Sequence, residues 1–141
     1  MAESLSVFFS QNALHIENRK IAVSDRFIGA DGNPVKWEIR CISASENQRL
    51  RNESMRNQPT GKRGQVTPTM DTALYQAKLA AHCVVFPDLS DKELQGSYGA
   101  LSAEQLISSM LTPGEFDDLV LAIVELNGFS TEGELVEEAK N

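Results

Sequence analysis

The sequence predicts an α+β protein, mostly α, with an N-terminal β-hairpin packed on a bundle of about five helices. Three observations carry this. In 35–41, Val35, Trp37, Ile39 and Cys41 alternate with Lys36, Glu38 and Arg40, the period of two of a half-buried strand. Residues 70–86, "MDTALYQAKLAAHCVVF", are apolar nearly all round, with Lys78 the one charge after Asp71, as in a central helix. In the C-terminal half, cap residues precede apolar runs at Ser90, Ser102 and Thr112.

Taken in order, residues 1–18 predict an arm or short helix that docks Leu5, Phe8 and Phe9. Residues 19–42 predict the hairpin. Ile21, Val23 and Phe27 share one face of its first strand, "GADGNP" supplies an Asp-Gly turn, and Pro34 opens the second strand with Trp37 inside. A lone hairpin is marginal in water, so this one leans on helices or pairs with another strand. An open edge also accepts an added peptide. Ser43 and Glu46 form a capping box for a polar helix over 43–56, anchored by Leu50 and Met55. Residues 57–68, "NQPTGKRGQVTP" in the main, read as a mobile basic linker. Residues 69–129 predict the helical core.

Within that core, Ser90 and Glu93 form a second capping box. Thr112, Pro113 and Glu115 open the best-marked helix, and Gly128 stands where its C-cap belongs. Phe116, Leu119, Val120, Ile123 and Val124 make its wide apolar stripe, while Leu121 falls in the polar arc, as an ordinary exposed leucine or as part of a partner surface. Residues 130–141 predict an acidic tail. All 141 residues suit a single domain.

Charge narrows the function. The net is −7. Residues 86–141 carry twelve acids against two bases, and residues 49–66 carry Arg49, Arg51, Arg56, Lys62 and Arg63 against Glu53. The acidic half argues against a nucleic-acid binder, which needs cations to displace counterions. The basic stretch has no aromatic residue for base stacking. The N-terminus has no basic n-region or long apolar run, so no signal peptide is expected, and no run reaches the ~18 apolar residues of a membrane span. Cys41 and Cys83 read as reduced, buried thiols of a cytoplasmic protein.

The search for chemistry returns no catalytic, cofactor-binding or metal site. "PDLSDKELQGSYG" (87–99) fails as a calcium loop, because Lys92 stands where a ligand is needed and the turn glycine is missing. "TGKRG" lacks the strand and helix of a phosphate cradle. His82 and Cys83 are adjacent, so on a helix they point about 100° apart. His15 and His82 lack ligand-spaced partners and read as structural. The chain is therefore read as non-enzymatic.

The stretches "VSDRF…DGNPVKWEIR", "TPTMDTALYQAKLAAHCVVFPDLSDKELQGSYG", "MLTPGEFDDLVLAIVELNGF" and "ELVEEAKN" together resemble the XkdN-like tail assembly chaperones of phages and prophages of Gram-positive bacteria. The resemblance runs nearly end to end, with "FPDLSDKELQGSYG" and "LTPGEFDDLVLAIVELNGF" its most specific parts. It implies a non-enzymatic protein of the host bacterial cytoplasm that binds the phage tape measure protein while tail tube protein assembles around it, with no cofactor. The alternative is a structural tail or connector component of the virion. Met55, Met70, Leu121 and Phe116 are the candidate partner-binding residues, and the hairpin edges are a candidate for self-association. Many such chaperones are also made in a longer, frameshifted form. Ala139, Lys140 and Asn141 permit the slippery run A AAA AAC, which an AAG codon for Lys140 would remove.

Overall fold

The structure, a computed structural model, describes residues 4–129. Its strands are β1 (Arg19–Ile21), β2 (Trp37–Ile39), β3 (Met55–Pro59), β4 (Val66–Met70) and β5 (Val84–Phe86). Its helices are α1 (Ala44–Glu53), α2 (Thr72–Cys83), α3 (Lys92–Ser97), α4 (Ala103–Met110) and α5 (Pro113–Leu126). The acidic tail expected at 130–141 lies outside the described residues.

This architecture corrects the expected fold class. Instead of one N-terminal hairpin on a helical bundle, the strands form two small sheets, ordered β1-β2-β5 and β3-β4. The helix expected over 70–86 ends at Cys83, and the chain passes straight into β5. Val84, Val85 and Phe86 are β-branched or aromatic, and the proline after Phe86 disfavours helical dihedrals there. Their strand covers the free edge of β2, antiparallel, with Glu38 opposite Phe86 and Ile39 opposite Val84. The hairpin thus finds its support within the chain as a third strand.

The first hairpin is shorter than expected. Arg19–Ile21 pairs with Trp37–Ile39. The ladder breaks over 22–26 and resumes where the Val35 amide donates to the Phe27 carbonyl at 2.8 Å and Ile28 bridges Pro34. The turn between is closed by Asp31, which accepts from the Asn33 amide at 3.0 Å, and by Gly32 at φ 81°, a dihedral that glycine adopts at little cost. Trp37 lies inside, 2 % exposed, as its alternation requires.

The second sheet stands where a mobile linker was expected. Met55 pairs with Met70 and Pro59 with Val66 along an antiparallel ladder. Its strands show no apolar alternation because they face water on both sides. Gly61 and Gly64, at φ 90° and 78°, turn the chain back. The N-terminal arm also departs from expectation. Leu5–Phe8 forms a single 3-10 turn with no buried residue, so Leu5, Phe8 and Phe9 do not dock.

The helix caps follow the sequence in part. Thr112 and Glu115 form the reciprocal capping box with Pro113 in the first turn, and Ser102 accepts from the Gln105 amide at 3.1 Å. Ser43 accepts from the Glu46 amide at 3.1 Å, but the Glu46 carboxylate turns to Arg40 at 3.6 Å. α3 starts one residue later than expected. Asp91 is its cap, while the Ser90 hydroxyl donates to Asp88 at 2.6 Å.

α2 packs against α1, α4, α5 and β5. Around it gather Trp37 and Ile39 from the sheet, Leu50 from α1, Leu106 and Ile107 from α4, and Leu119 and Ile123 from α5, all essentially fully buried. Each such side chain contributes about 1.5–3 kcal/mol by leaving water. Leu79 is 1 % exposed at the middle of this cluster. Leu79→Ala is expected to cost about 3 kcal/mol, lowering Tm by roughly 10 °C, as measured by circular dichroism melting.

One polar node ties the first hairpin to the helices. Arg26, in the break of the ladder, donates to both carboxylate oxygens of Glu115, at 2.5 and 3.2 Å, and to the Met110 carbonyl at 2.7 Å. Arg26, with the Ser24 hydroxyl and the Thr112 amide, holds the Glu115 carboxyl far below the usual carboxylate range. A depressed carboxyl contributes stability that is complete above its unfolded value of 4.5 and is lost as pH falls through the folded value. Stability should therefore decline on acidification below about pH 4.5. Urea titrations from pH 5 to 2 should show a shallower decline for Glu115→Gln than for the parent chain.

Candidate partner-binding surface

α2 and α5 touch along part of their length, and α1 closes on α2 beside them. The three do not meet completely. A groove of about 270 Å³ remains, lined by Arg51 of α1, Met70 at the end of β4, Thr72, Tyr75, Gln76 and Leu79 of α2, Val120 and Val124 of α5, and Phe129. Its size suits apolar side chains from another chain, being below the roughly 300–1,000 Å³ of small-molecule pockets.

Local rules place each wall. On α5, Leu119 and Ile123 are wholly buried, and the adjoining Val120 and Val124 are half-buried. The apolar stripe is thus wider than the contact with α2 consumes. On α2, Tyr75 lines the groove and its hydroxyl is hydrogen-bonded to Asn47 of α1. Asp71 caps α2 by accepting from the Leu74 amide at 3.2 Å and forms an ion pair with Arg56. That pair fixes the foot of the β3-β4 hairpin, where Met70 stands.

The four sequence-predicted residues separate into a pair and two others. Met55 and Met70 are brought together as direct cross-strand partners, Met55 exposed and Met70 half-buried at the groove. Leu121 is 48 % exposed on α5, next to Val120 but outside the groove lining. Phe116 packs against the core one turn before Val120. Sequence reasoning missed Tyr75, Val120, Val124 and Phe129 as groove residues. Their signal was the excess width of the α5 stripe, five apolar positions where a single neighbour buries about half.

The basic stretch does not form one face. Arg49 pairs with Glu53 at 3.3 Å, Arg56 pairs with Asp71, Arg51 lines the groove, and Lys62 and Arg63 stand at the exposed hairpin turn. His82 has both ring nitrogens engaged, Nδ1 with the Lys78 carbonyl at 3.1 Å and Nε2 with Arg49 at 3.3 Å. Asp88 spends its carboxylate on the Ser90 amide and hydroxyl, which hold it below the usual carboxylate range. Among the described residues, no group of three His, Cys, Asp or Glu side chains is placed to hold a metal ion, and no helix is long and apolar enough to cross a membrane.

The two thiols differ in access. Cys83 is wholly buried, and burial pushes its thiol up to about 11. Cys41 is half-buried and donates to the Leu126 carbonyl at 3.2 Å. Since the thiolate is the reactive form, iodoacetamide at pH 8 should modify Cys41 in the folded chain and Cys83 only after denaturation, as peptide mass spectrometry would show.

Fold and groove define a class first: a small protein of helices and two small sheets with an apolar cleft between its helices. The particular family follows from sequence. The chain belongs to the phage XkdN-like tail assembly chaperone proteins, whose family model matches residues 5–140. It is 27 % identical over 139 residues to the phage-like element PBSX protein XkdN of Bacillus subtilis strain 168, covering 97 % of this chain and 93 % of that one. It is 26 % identical over 136 residues to YqbN of the same strain, covering 96 % of this chain and 91 % of YqbN. The crystal structure of YqbN shares the fold, with a TM-score of 0.76, 23 % identity, and coverage of 92 % of this chain and 100 % of that one.

Proposed function

We propose that the chain acts, without catalysis, in the bacterial cytoplasm as a chaperone that holds the phage tape measure protein soluble while tail tube subunits assemble around it. The α2-α5 groove is the single observation that carries the reading beyond the family's general role in tail assembly. A long client with apolar helical stretches needs a receptor with apolar clefts and adaptable contacts. The groove has Val120, Val124 and Tyr75 for its walls and Met70 at its mouth, and methionine repacks readily around varied partners. Met55 extends that surface beside Met70, Phe116 supports it from the core, and Leu121 borders it on the outer face of α5. Residues 1–141 act in this reading as one domain.

The test is co-expression with the tape measure protein of the same gene cluster. A soluble complex that survives moderate salt is expected, because apolar capture depends weakly on ionic strength whereas exposed charge pairing is screened. Met70→Asp or Val124→Asp should weaken it about tenfold or more, the scale of a hot-spot residue. Failure to co-purify, with the client left insoluble, would count against the reading.

A further inference from the structure

Two features of the described surface lack a partner among the described residues. The first is the N-terminal arm. Leu5, Phe8 and Leu14 are 77, 76 and 98 % exposed, and Val7, Phe9 and Ile16 are about half exposed or more. The arm is bonded only to itself in this stretch: the Asn12 side chain donates to the Ser6 carbonyl at 2.7 Å and the Ala13 amide to the Phe9 carbonyl at 3.0 Å. Phe8 and Phe9 are aromatic and the other four aliphatic, and together they offer on the order of several hundred Å² of apolar surface, the size at which an exposed patch marks an interaction site and a large part of the ~800 Å² per partner of a standard interface.

The second feature is a cavity of about 190 Å³ at the end of the first sheet, lined by Phe27, Val35, Trp37, Phe86, Pro87, Leu94 and Met110. Every lining side chain is apolar. Phe86 and Val85 beside it are about half exposed on the edge strand β5. Its volume is of the order that one aromatic side chain fills. An apolar pocket left open and an apolar arm left uncovered on the same chain are complementary in chemistry.

We infer that the chain self-associates by exchanging its N-terminal arm, with Phe8 or Phe9 of one copy seated in the Phe27–Trp37–Phe86 pocket of a second copy. Each copy supplies one arm and one pocket, so two copies satisfy each other about a two-fold axis. The arm leaves the body at β1, the edge of the sheet opposite β5, and shows its apolar side chains to solvent instead of folding back. The exchange covers apolar surface that would otherwise promote aggregation. This inference is independent of which tail protein is bound.

Trp37 is the one tryptophan of the sequence and lines the pocket, so it reports occupancy directly. Sedimentation velocity and Trp37 emission would be recorded on the full chain across a concentration series. The expected result is a monomer–dimer equilibrium whose onset coincides with a change in Trp37 emission. In the full-length Phe8→Ser/Phe9→Ser variant, association should weaken at least tenfold with the far-ultraviolet circular dichroism unchanged, since neither residue is part of the core. Leu94→Phe, which fills the pocket, should weaken association similarly. A monomer at every concentration would overturn the exchange, including one whose emission shows its own arm in its pocket. A dimer indifferent to the arm substitutions, or one that forms without any change at Trp37, would also overturn it.

Discussion

The junction at Cys83 and Val84 is the constraint on which this structure depends. There a helix becomes a strand with no loop between. α2 is thereby the partner of α1, α4 and α5, while its continuation completes the first sheet. With no loop at the junction, moving the sheet relative to the helices means changing the backbone dihedrals at Cys83 and Val84, and the Arg40 amide bonded to the Cys83 carbonyl at 2.9 Å ties the joint from the side of β2. A second tie, Arg26 on Glu115, holds the opposite end of the hairpin to the start of α5. Two fastenings at separate points orient a small sheet that could not stand alone.

Much of this was legible in the sequence where local chemistry governs. The alternation over 35–41 placed Trp37 and Ile39 inside, and Thr112, Pro113, Glu115 and Gly128 bounded the last helix. The resemblance found in the "FPDLSDKELQGSYG" and "LTPGEFDDLVLAIVELNGF" stretches pointed to the family shown by the matching residues. What failed was governed by tertiary context. Val84, Val85 and Phe86 continue the apolar pattern of α2, so helix and buried strand look alike there. Only the need of β2 for a neighbour decides between them. The β3-β4 strands are exposed on both faces and carry prolines, leaving no period of two to detect. Leu5, Phe8 and Phe9 read as docked because apolar residues usually are, and no local rule says that the arm stays on the surface. Of the groove lining, Met70 was among the candidates read from the sequence, whereas Val120 and Val124 were read only as part of the apolar stripe of α5.

Among the described residues, the arm, the sheet-end pocket and the α2-α5 groove are apolar features that folding leaves open. Each is bordered by polar or charged groups that keep it separate from the next. Asn12 binds the arm's own backbone, Arg26 and Glu115 stand near the pocket, and Arg51 edges the groove.

The β3-β4 hairpin begins and ends at nearly one point. The Asp71 amide donates to the Ser54 carbonyl at 2.8 Å, and the Ser54 hydroxyl donates to the Leu50 carbonyl at the same distance. Residues 55–70 are thus an excursion closed at its base, as if α1 and α2 were joined directly. Extending a loop is thermodynamically cheap, about 0.6 kcal/mol for each doubling of its length. The turn between Pro59 and Val66 is therefore a place where sequence can be spliced in, a fluorophore site or an affinity handle among the possibilities, with the body of the protein left as it is.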